Sequence, residues 1–263
     1  MKNKSIVIIC GDPESTFNEI LIKTLKNKVY KNSKFPIIII CSERLFRNEL
    51  KKLKTKINLQ KFRNQANLHK NQIYIIDIPI KKGKLSLIKK NEYIKKSFDV
   101  GLNLLKKKNL LALINGPISK ATFLKGKYKG ITEYLAFKTG SLNEVMLIFN
   151  KELSVSPITT HVPINKVSQK IKKEVIFKKI NNINEFYKKF LSLKPNIAVT
   201  GLNPHCETFA GKNIEKEEIL PAIKKLKKKK IKILGPLSAD TIFLEENRKK
   251  FDVVVGMYHD QVL

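Results

Sequence analysis

The sequence predicts an α/β protein with a largely parallel sheet, and three observations carry that prediction. Short runs rich in Ile and Val recur along the chain, longer amphipathic segments separate them, and several of the runs are apolar without interruption, as strands covered on both faces are. The expected strands are Ser5–Cys10, Pro36–Cys41, Ile73–Ile78, Leu110–Asn115, Val145–Phe149, Leu153–Thr159, Asn196–Thr200, Ile231–Leu234 and Asp252–Met257. Between them, apolar residues fall near three- and four-residue spacing, the helical period, over segments such as Asn18–Lys28, Asn91–Lys108, Val175–Leu191 and Glu215–Lys229. No repeat of fixed period and no Gly/Ser linker marks a domain boundary. The strand rhythm breaks at Gly126, Lys127, Lys129 and Gly130, so two α/β subdomains are expected, residues 1–128 and 129–263.

At 263 residues the chain is long enough to bury a core without disulfide staples. Hydrophobic residues make up 42%, yet no apolar run approaches the roughly 18–20 residues needed to span a bilayer, which disfavours a membrane protein. The apolar stretch after Met1-Lys2-Asn3-Lys4 is too short for a signal peptide and runs into Asp12 and Pro13, so it reads as a first strand. Cys10, Cys41 and Cys206 are odd in number, widely spaced and form no CxxC pair; a reduced, cytoplasmic setting fits them.

The formal net charge of +31 raises the question of nucleic acid or anionic membrane. Almost all of that charge is lysine. The arginines that phosphate- and guanine-reading proteins lean on are confined to Arg44, Arg47, Arg63 and Arg248. The lysines are spread along the chain and travel with an excess of Ile and Asn, as an AT-rich coding sequence produces, so they read as a solvated surface. Lys227-Lys228-Lys229-Lys230 is the best local candidate for a nucleic-acid face.

No GxGxxG, GxxxxGK[ST], GxSxG or HExxH motif occurs, which disfavours a simple Rossmann dehydrogenase, a P-loop kinase, an α/β-hydrolase and a zincin. Of four histidines, His161, His205 and His259 each lie just beyond an expected strand, where open α/β sheets face their ligands. Taken singly, each reads as a loop histidine bonded to a neighbouring carbonyl. As a set they are a candidate metal centre, because imidazole suits zinc and its first-row neighbours and three protein ligands leave an open position for catalysis. His69 lacks that placement and reads as a surface residue.

Glu207 follows His205 and Asp260 follows His259, so each imidazole has a carboxylate close behind it that can orient the ring or take a proton. The turn from Gly235 to Thr241 follows another strand and is expected to feed a helix, with Ser238 or Asp240 as its cap and Asp240 as an alternative site residue. Asn115-Gly116-Pro117-Ile118-Ser119-Lys120 reads as a helix start whose amides and Lys120 can also receive an anion.

Read together, Gly11-Asp12-Pro13, the Asn115–Lys120 turn, Thr132-Glu133-Tyr134-Leu135-Ala136, Thr159-Thr160-His161-Val162-Pro163, Gly201–His205, Gly235–Thr241 and Met257-Tyr258-His259-Asp260-Gln261 resemble the 4-hydroxythreonine-4-phosphate dehydrogenase family of vitamin B6 biosynthesis. The seven motifs keep the family's order and approximate spacing from residue 11 to the last residue. The resemblance implies an isocitrate/isopropylmalate-dehydrogenase-like fold, in which two α/β subdomains enclose a cleft. It implies a homodimer whose active sites use residues of both subunits, a phosphorylated small-molecule substrate, NAD or NADP as cofactor, and a divalent metal such as zinc, magnesium or cobalt. Such a fold binds NAD without the GxGxxG fingerprint. The family's metal-binding histidines match His161, His205 and His259, the three already singled out by position, and Asp240 and Asp260 are the candidates for moving the proton.

The chain departs from the family at three places. Where the family has a His-Thr pair that holds the substrate, this chain has Ile131 and Thr132, and an apolar side chain donates no hydrogen bond. That invites a relative acting on another phosphorylated hydroxy acid, such as threonate or erythronate phosphate. After Gly11-Asp12-Pro13 the family's glycine-rich stretch is replaced by Glu14-Ser15-Thr16-Phe17-Asn18-Glu19, with only Glu19 kept. Members also continue past the His-Asp-Gln motif, so the chain is expected to be C-terminally incomplete, lacking a lysine, an asparagine and an arginine that contact substrate, along with the part that completes the first subdomain. An inactive remnant and a basic nucleic-acid-binding protein are the competing expectations.

Overall fold

The computed structural model describes residues 4–27, 34–64, 68–81, 83, 85–106, 110–128, 130–141, 144–206 and 213–263. The chain forms two compact units, Met1–Thr139 and Gly140–Leu263.

In the first unit the strands β1 (Ser5–Ile9), β2 (Ile37–Cys41), β3 (Leu59–Lys61), β4 (Ile73–Asp77) and β5 (Leu110–Asn115) form a parallel sheet in the order β3-β4-β2-β1-β5. The helices are α1 (Phe17–Lys26), α2 (Glu43–Lys52), α3 (Leu87–Lys106) and α4 (Ile131–Thr139), with a π-helical turn at Lys120–Leu124. The period-2 alternation of the strands splits their side chains between two cores. Val7, Ile9, Ile38, Ile40 and Tyr74 meet Tyr93, Ile94 and Phe98 of α3, while Ile8, Ile37, Ile39, Cys41 and Ile75 meet Leu21, Ile22, Phe46 and Leu50 of α1 and α2. Both faces of β2 are therefore buried, and its sequence is correspondingly apolar throughout.

The division between the units falls at Thr139, beyond the expected 128. The glycines near 126–130 make a turn inside the first unit, and the chain after it returns to the same core. Tyr134 sits edge-on to Phe98, Phe123 and Tyr128 with ring centroids 5.6, 5.5 and 5.3 Å away, and Ile131 and Leu135 pack on that cluster.

The Tyr134 hydroxyl is buried with no hydrogen-bond partner, and burial, followed by the Asp99 charge, pushes its phenol up to about 12. The protonated phenol is the neutral form, so this contribution is intact below the ordinary phenol range near 10 and is lost as pH climbs from there toward 12. Tyr134→Phe is expected to leave neutral-pH stability unchanged or raise it by up to about 1 kcal/mol, and to flatten the alkaline loss. Denaturant melts at neutral and alkaline pH check this, and a clear loss at neutral pH would show that the hydroxyl is bonded after all.

In the second unit β6 (Ser154–Thr159), β7 (Ile197–Thr200), β8 (Ile233–Leu237) and β9 (Val253–Tyr258) form a parallel sheet in the order β6-β9-β7-β8. Its helices are α5 (Ile164–Lys170), α6 (Lys173–Phe186), α7 (Leu220–Lys228) and α8 (Glu245–Arg248), with π-helical turns at Tyr187–Leu191 and Glu215–Ile219 and a 3₁₀ turn at His259–Gln261. Val199, Val253, Val255 and Met257 face Ile176, Ile180, Ile223 and Leu226 on one side, while Ala198 and Val254 face Ile242 and Val262 on the other.

Two expectations are corrected here. Val145–Phe149 is not a strand: it runs antiparallel to β6 with one backbone bridge, Ile148 to Val155, because the hydroxyls of Ser154 and Ser156 take the neighbouring backbone groups of Asn150 and Met146. The turn after β8 does not feed a side-chain-capped helix, since residues 239–243 are turns and α8 begins after Leu244 with no side-chain cap. Among the described residues no helix is long and apolar enough to cross a membrane.

Candidate active site

All four strands of the second sheet deliver a polar group to the same carboxyl edge. β6 ends at Thr159 and leads to His161, β9 ends at Tyr258 and leads directly to His259, β7 ends at Thr200 and leads to His205, and β8 ends at Leu237 and leads to Asp240. The strand order then decides which of them meet, because hydrogen-bonded neighbours lie about 4.8 Å apart. β6 pairs with β9, and the rings of His161 and His259 stand 6.1 Å apart between centroids, inclined at 33°. β7 pairs with β8, and His205 Nδ1 lies 3.4 Å from Asp240 Oδ2.

His161 has φ 49°, a left-handed backbone that an L-residue adopts at a cost of about 1 kcal/mol. His259 Nδ1 lies 2.7 Å from Asp260 Oδ1. Asp260 bonds Nδ1 of His259 and Asp240 faces Nδ1 of His205 at ion-pair distance, so Nε2 of each ring is the nitrogen that points to a ligand. The His205 and Asp240 side chains are 66% and 49% exposed, and ion pairs that open to water add little stability. The pairings therefore orient the rings more than they hold the fold. Glu207, the carboxylate expected behind His205, lies outside the described residues.

Two imidazoles side by side, one backed by a carboxylate, suit a divalent metal. Among the described residues, however, no group of three or more His, Cys, Asp or Glu side chains is gathered that could hold an ion. His205 stands with Asp240 instead of with the other two rings, since the sheet places β7 beyond β9 from β6.

Two residues at this edge were not singled out from the sequence. The Gln261 Oε1 accepts from Thr200 Oγ1 at 2.9 Å and from the Met257 N–H at 2.7 Å, and its Nε2 donates to the Gly201 carbonyl at 2.8 Å, tying β9 to β7 just behind His259. Glu215 is 1% exposed, and its Oε1 accepts from the N–H groups of Leu202 and Asn203 and from Asn203 Nδ2, at 3.0, 2.9 and 3.1 Å. Glu215 did carry a signal: it shares the buried helical stripe of Ile219, Ala222 and Leu226, where a carboxylate needs partners. Gln261 belongs to the His-Asp-Gln motif, but nothing local to the sequence shows that its side chain ties β9 to β7.

The first unit holds the remaining candidates. Its chain direction across the sheet reverses between β1 and β5, the position where such sheets bind ligands. There the Gly116 N–H donates to the Ile9 carbonyl at 2.7 Å and the Asp12 N–H to the Pro117 carbonyl at 2.9 Å. A Cβ on Gly11 would stand 2.3 Å from the Pro117 oxygen and one on Gly116 would stand 2.3 Å from the Cys10 oxygen, so both backbones need glycine. Ser119 Oγ caps the following turn through the Thr122 N–H at 3.3 Å, as a helix start requires. Thr132 is exposed at the beginning of α4, and Ile131 beside it is half-buried against the aromatic cluster.

The family model described as "Pyridoxal phosphate biosynthetic protein PdxA" matches residues 33–263. The chain belongs to the PdxA family. It is 37% identical to a 4-hydroxythreonine-4-phosphate dehydrogenase of Sulfurihydrogenibium sp. over 98% of its own length and 81% of that relative's. It is 30% identical to a D-threonate 4-phosphate dehydrogenase of Salmonella typhimurium over 99% of its length and 83% of that relative's. Among solved structures, a 4-hydroxythreonine-4-phosphate dehydrogenase from Burkholderia phymatum superposes with a TM-score of 0.81 at 28% identity, covering 98% of this chain and 81% of the other. The parallel α/β architecture is thus the isocitrate/isopropylmalate-dehydrogenase-like fold of PdxA proteins, as the sequence motifs imply.

Proposed function

We propose that the protein is the dehydrogenase that oxidises 4-phosphohydroxy-L-threonine to 2-amino-3-oxo-4-phosphooxybutanoate with NAD or NADP, in vitamin B6 biosynthesis. The product then loses CO₂ to give 3-amino-2-oxopropyl phosphate. The observation that carries this reading is the row of His161, His259, His205 and Asp240 along one sheet edge in a chain of the PdxA family.

In the reaction, the substrate hydroxyl gives up its proton and the carbon bearing it gives a hydride to the nicotinamide. A divalent metal (zinc, magnesium or cobalt), when bound, would supply Lewis acidity at the substrate hydroxyl. His161, His259 and His205 would be the residues to hold it. Asp260 fixes the orientation of the His259 ring, Asp240 faces the His205 ring, and one of the two carboxylates receives the departing proton. Thr132 binds the phosphorylated substrate, with Ile131 beside it. A homodimer with shared active sites is the assembly that the family motifs imply for such a chain.

Three free thiols and the lack of a membrane-spanning helix among the described residues fit a cytoplasmic protein. A specific nucleic-acid partner is not part of this reading. Around the lysine run of α7, Lys225 and Lys229 lie over the Phe177 ring at 4.3 and 4.9 Å, and Lys225 also pairs with Glu174, so these charges are engaged within the protein.

A second reading, oxidation of D-threonate 4-phosphate, is favoured by one observation: Ile131 offers no hydrogen bond where the family has histidine. The test compares kcat/KM on the two substrates with Mg²⁺, Co²⁺ or Zn²⁺ present. At least about a 10-fold preference for 4-phosphohydroxy-L-threonine is expected, as one well-placed polar contact produces. The reverse preference would install the second reading.

A further inference from the structure

We propose that Gln261 and Glu215 are positioning residues that clamp a single peptide group, Gly201–Leu202, and thereby fix where the His205 loop leaves the sheet relative to the His259 turn. This deepens the metal-centre reading above and rests on it for its link to catalysis.

The Gly201 carbonyl accepts from Gln261 Nε2 at 2.8 Å, and the Leu202 N–H on the same peptide donates to Glu215 Oε1 at 3.0 Å. The peptide is trans, so its C=O and N–H point in opposite directions, and the two side chains grip opposite edges of one rigid plane. The next N–H, that of Asn203, also donates to Glu215 Oε1, and the Asn203 side chain adds a third bond. Both clamps are anchored. Gln261 Oε1 is held by Thr200 and Met257, and Glu215 is buried on the apolar stripe that continues into α7. Gln261 sits two residues after His259, and the clamped plane lies three residues before Asn203-Pro204-His205 ends. A shift of either histidine's backbone is thus transmitted to the other through one plane and two side chains.

Cys206 reports on this clamp. It has φ 58°, and its sulfur packs so closely over Gly201 that a Cβ there would lie 2.6 Å from Sγ. Cys10 and Cys41 are buried, so Cys206 is the more accessible of the three thiols.

The experiment uses the full chain and its Gln261→Ala, Glu215→Ala and Glu215→Gln variants. Co²⁺ affinity and the visible Co²⁺ spectrum are read first, and the rate of Cys206 alkylation second. Both alanine variants are expected to bind Co²⁺ about 10–100-fold more weakly with an altered spectrum, as loss of an outer-shell partner does. Their Cys206 alkylation is expected to accelerate at least about 10-fold, as local opening requires. Glu215→Gln keeps an acceptor for the same three N–H groups and is expected to stay within about 3-fold of the parent on both readouts.

If the parent chain binds Co²⁺ and both alanine variants match its affinity and spectrum, the proposal is overturned. If the parent binds no Co²⁺, the metal-centre reading falls, and the clamp is judged by Cys206 alone: unchanged alkylation in both alanine variants overturns it, and accelerated alkylation upholds it.

Discussion

His259→Ala is expected to weaken Co²⁺ or Zn²⁺ binding by more than about 100-fold and to remove turnover with it, exceeding the roughly 10–100-fold that loss of an outer-shell partner costs. The reason lies in its position. His259 is the ring that both neighbours His161 and is backed by a carboxylate, Asp260 at 2.7 Å, so its removal dissolves the one imidazole pair the sheet assembles. Asp260→Asn should fall in the smaller range, because the ring stays and only its hydrogen-bond partner changes. Metal titration and steady-state kinetics on the two variants separate a ligand from its support. Stoichiometric metal with full activity in His259→Ala would sink the assignment.

Phe98→Ala is expected to cost about 3–5 kcal/mol, a large share of the roughly 5–15 kcal/mol that holds a typical domain together. Phe98 is fully buried on α3, stacked on Phe123 at 5.9 Å and edge-on to Tyr134 at 5.6 Å, so the truncation leaves a cavity walled by rigid rings that cannot collapse into it. Phe137, 69% exposed three residues beyond Tyr134, should lose no more than about 0.5 kcal/mol on the same substitution. Denaturant unfolding of the two variants measures the contrast, and equal losses would contradict the packing described for the first unit.

The strands were legible where the chain wrote them in Ile and Val, as in β2 and β9, because burial on both faces leaves no other composition. β3 was not, since Leu59-Gln60-Lys61 is a short edge strand with half-exposed side chains and carries neither an apolar run nor an alternation long enough to register. Apolar character misled at Val145–Phe149, where the chain lies along β6 but serine hydroxyls take up the groups a ladder would use. Glycines misled at 126–130 in a related way: they mark a change of direction, whereas a domain boundary depends on which core the following residues join, and Tyr134 joins the first.

At the site, the sequence located the histidines because strand ends can be read from local pattern. It did not reveal that His161 meets His259 while His205 meets Asp240, because that pairing follows from the order β6-β9-β7-β8, a non-local property. Position and family resemblance single out the same candidate histidines, yet neither shows how many of them a single chain gathers.

That strand order sets a timetable for biosynthesis. β9 is the last of the nine described strands in chain order, yet it lies between β6 and β7, and among the described residues β6 pairs with no other strand of the sheet. While β7, β8 and their helices are being made, a nascent chain that already carries His161 and His205 keeps the facing edges of β6 and β7 unpaired. Only when Val253–Tyr258 enters between them do the two halves join, and Gln261, just behind it, bonds across to Gly201. The histidine-bearing sheet therefore depends on a long-range pairing made late in the chain, the kind of contact that forms slowly and leaves strand edges open meanwhile.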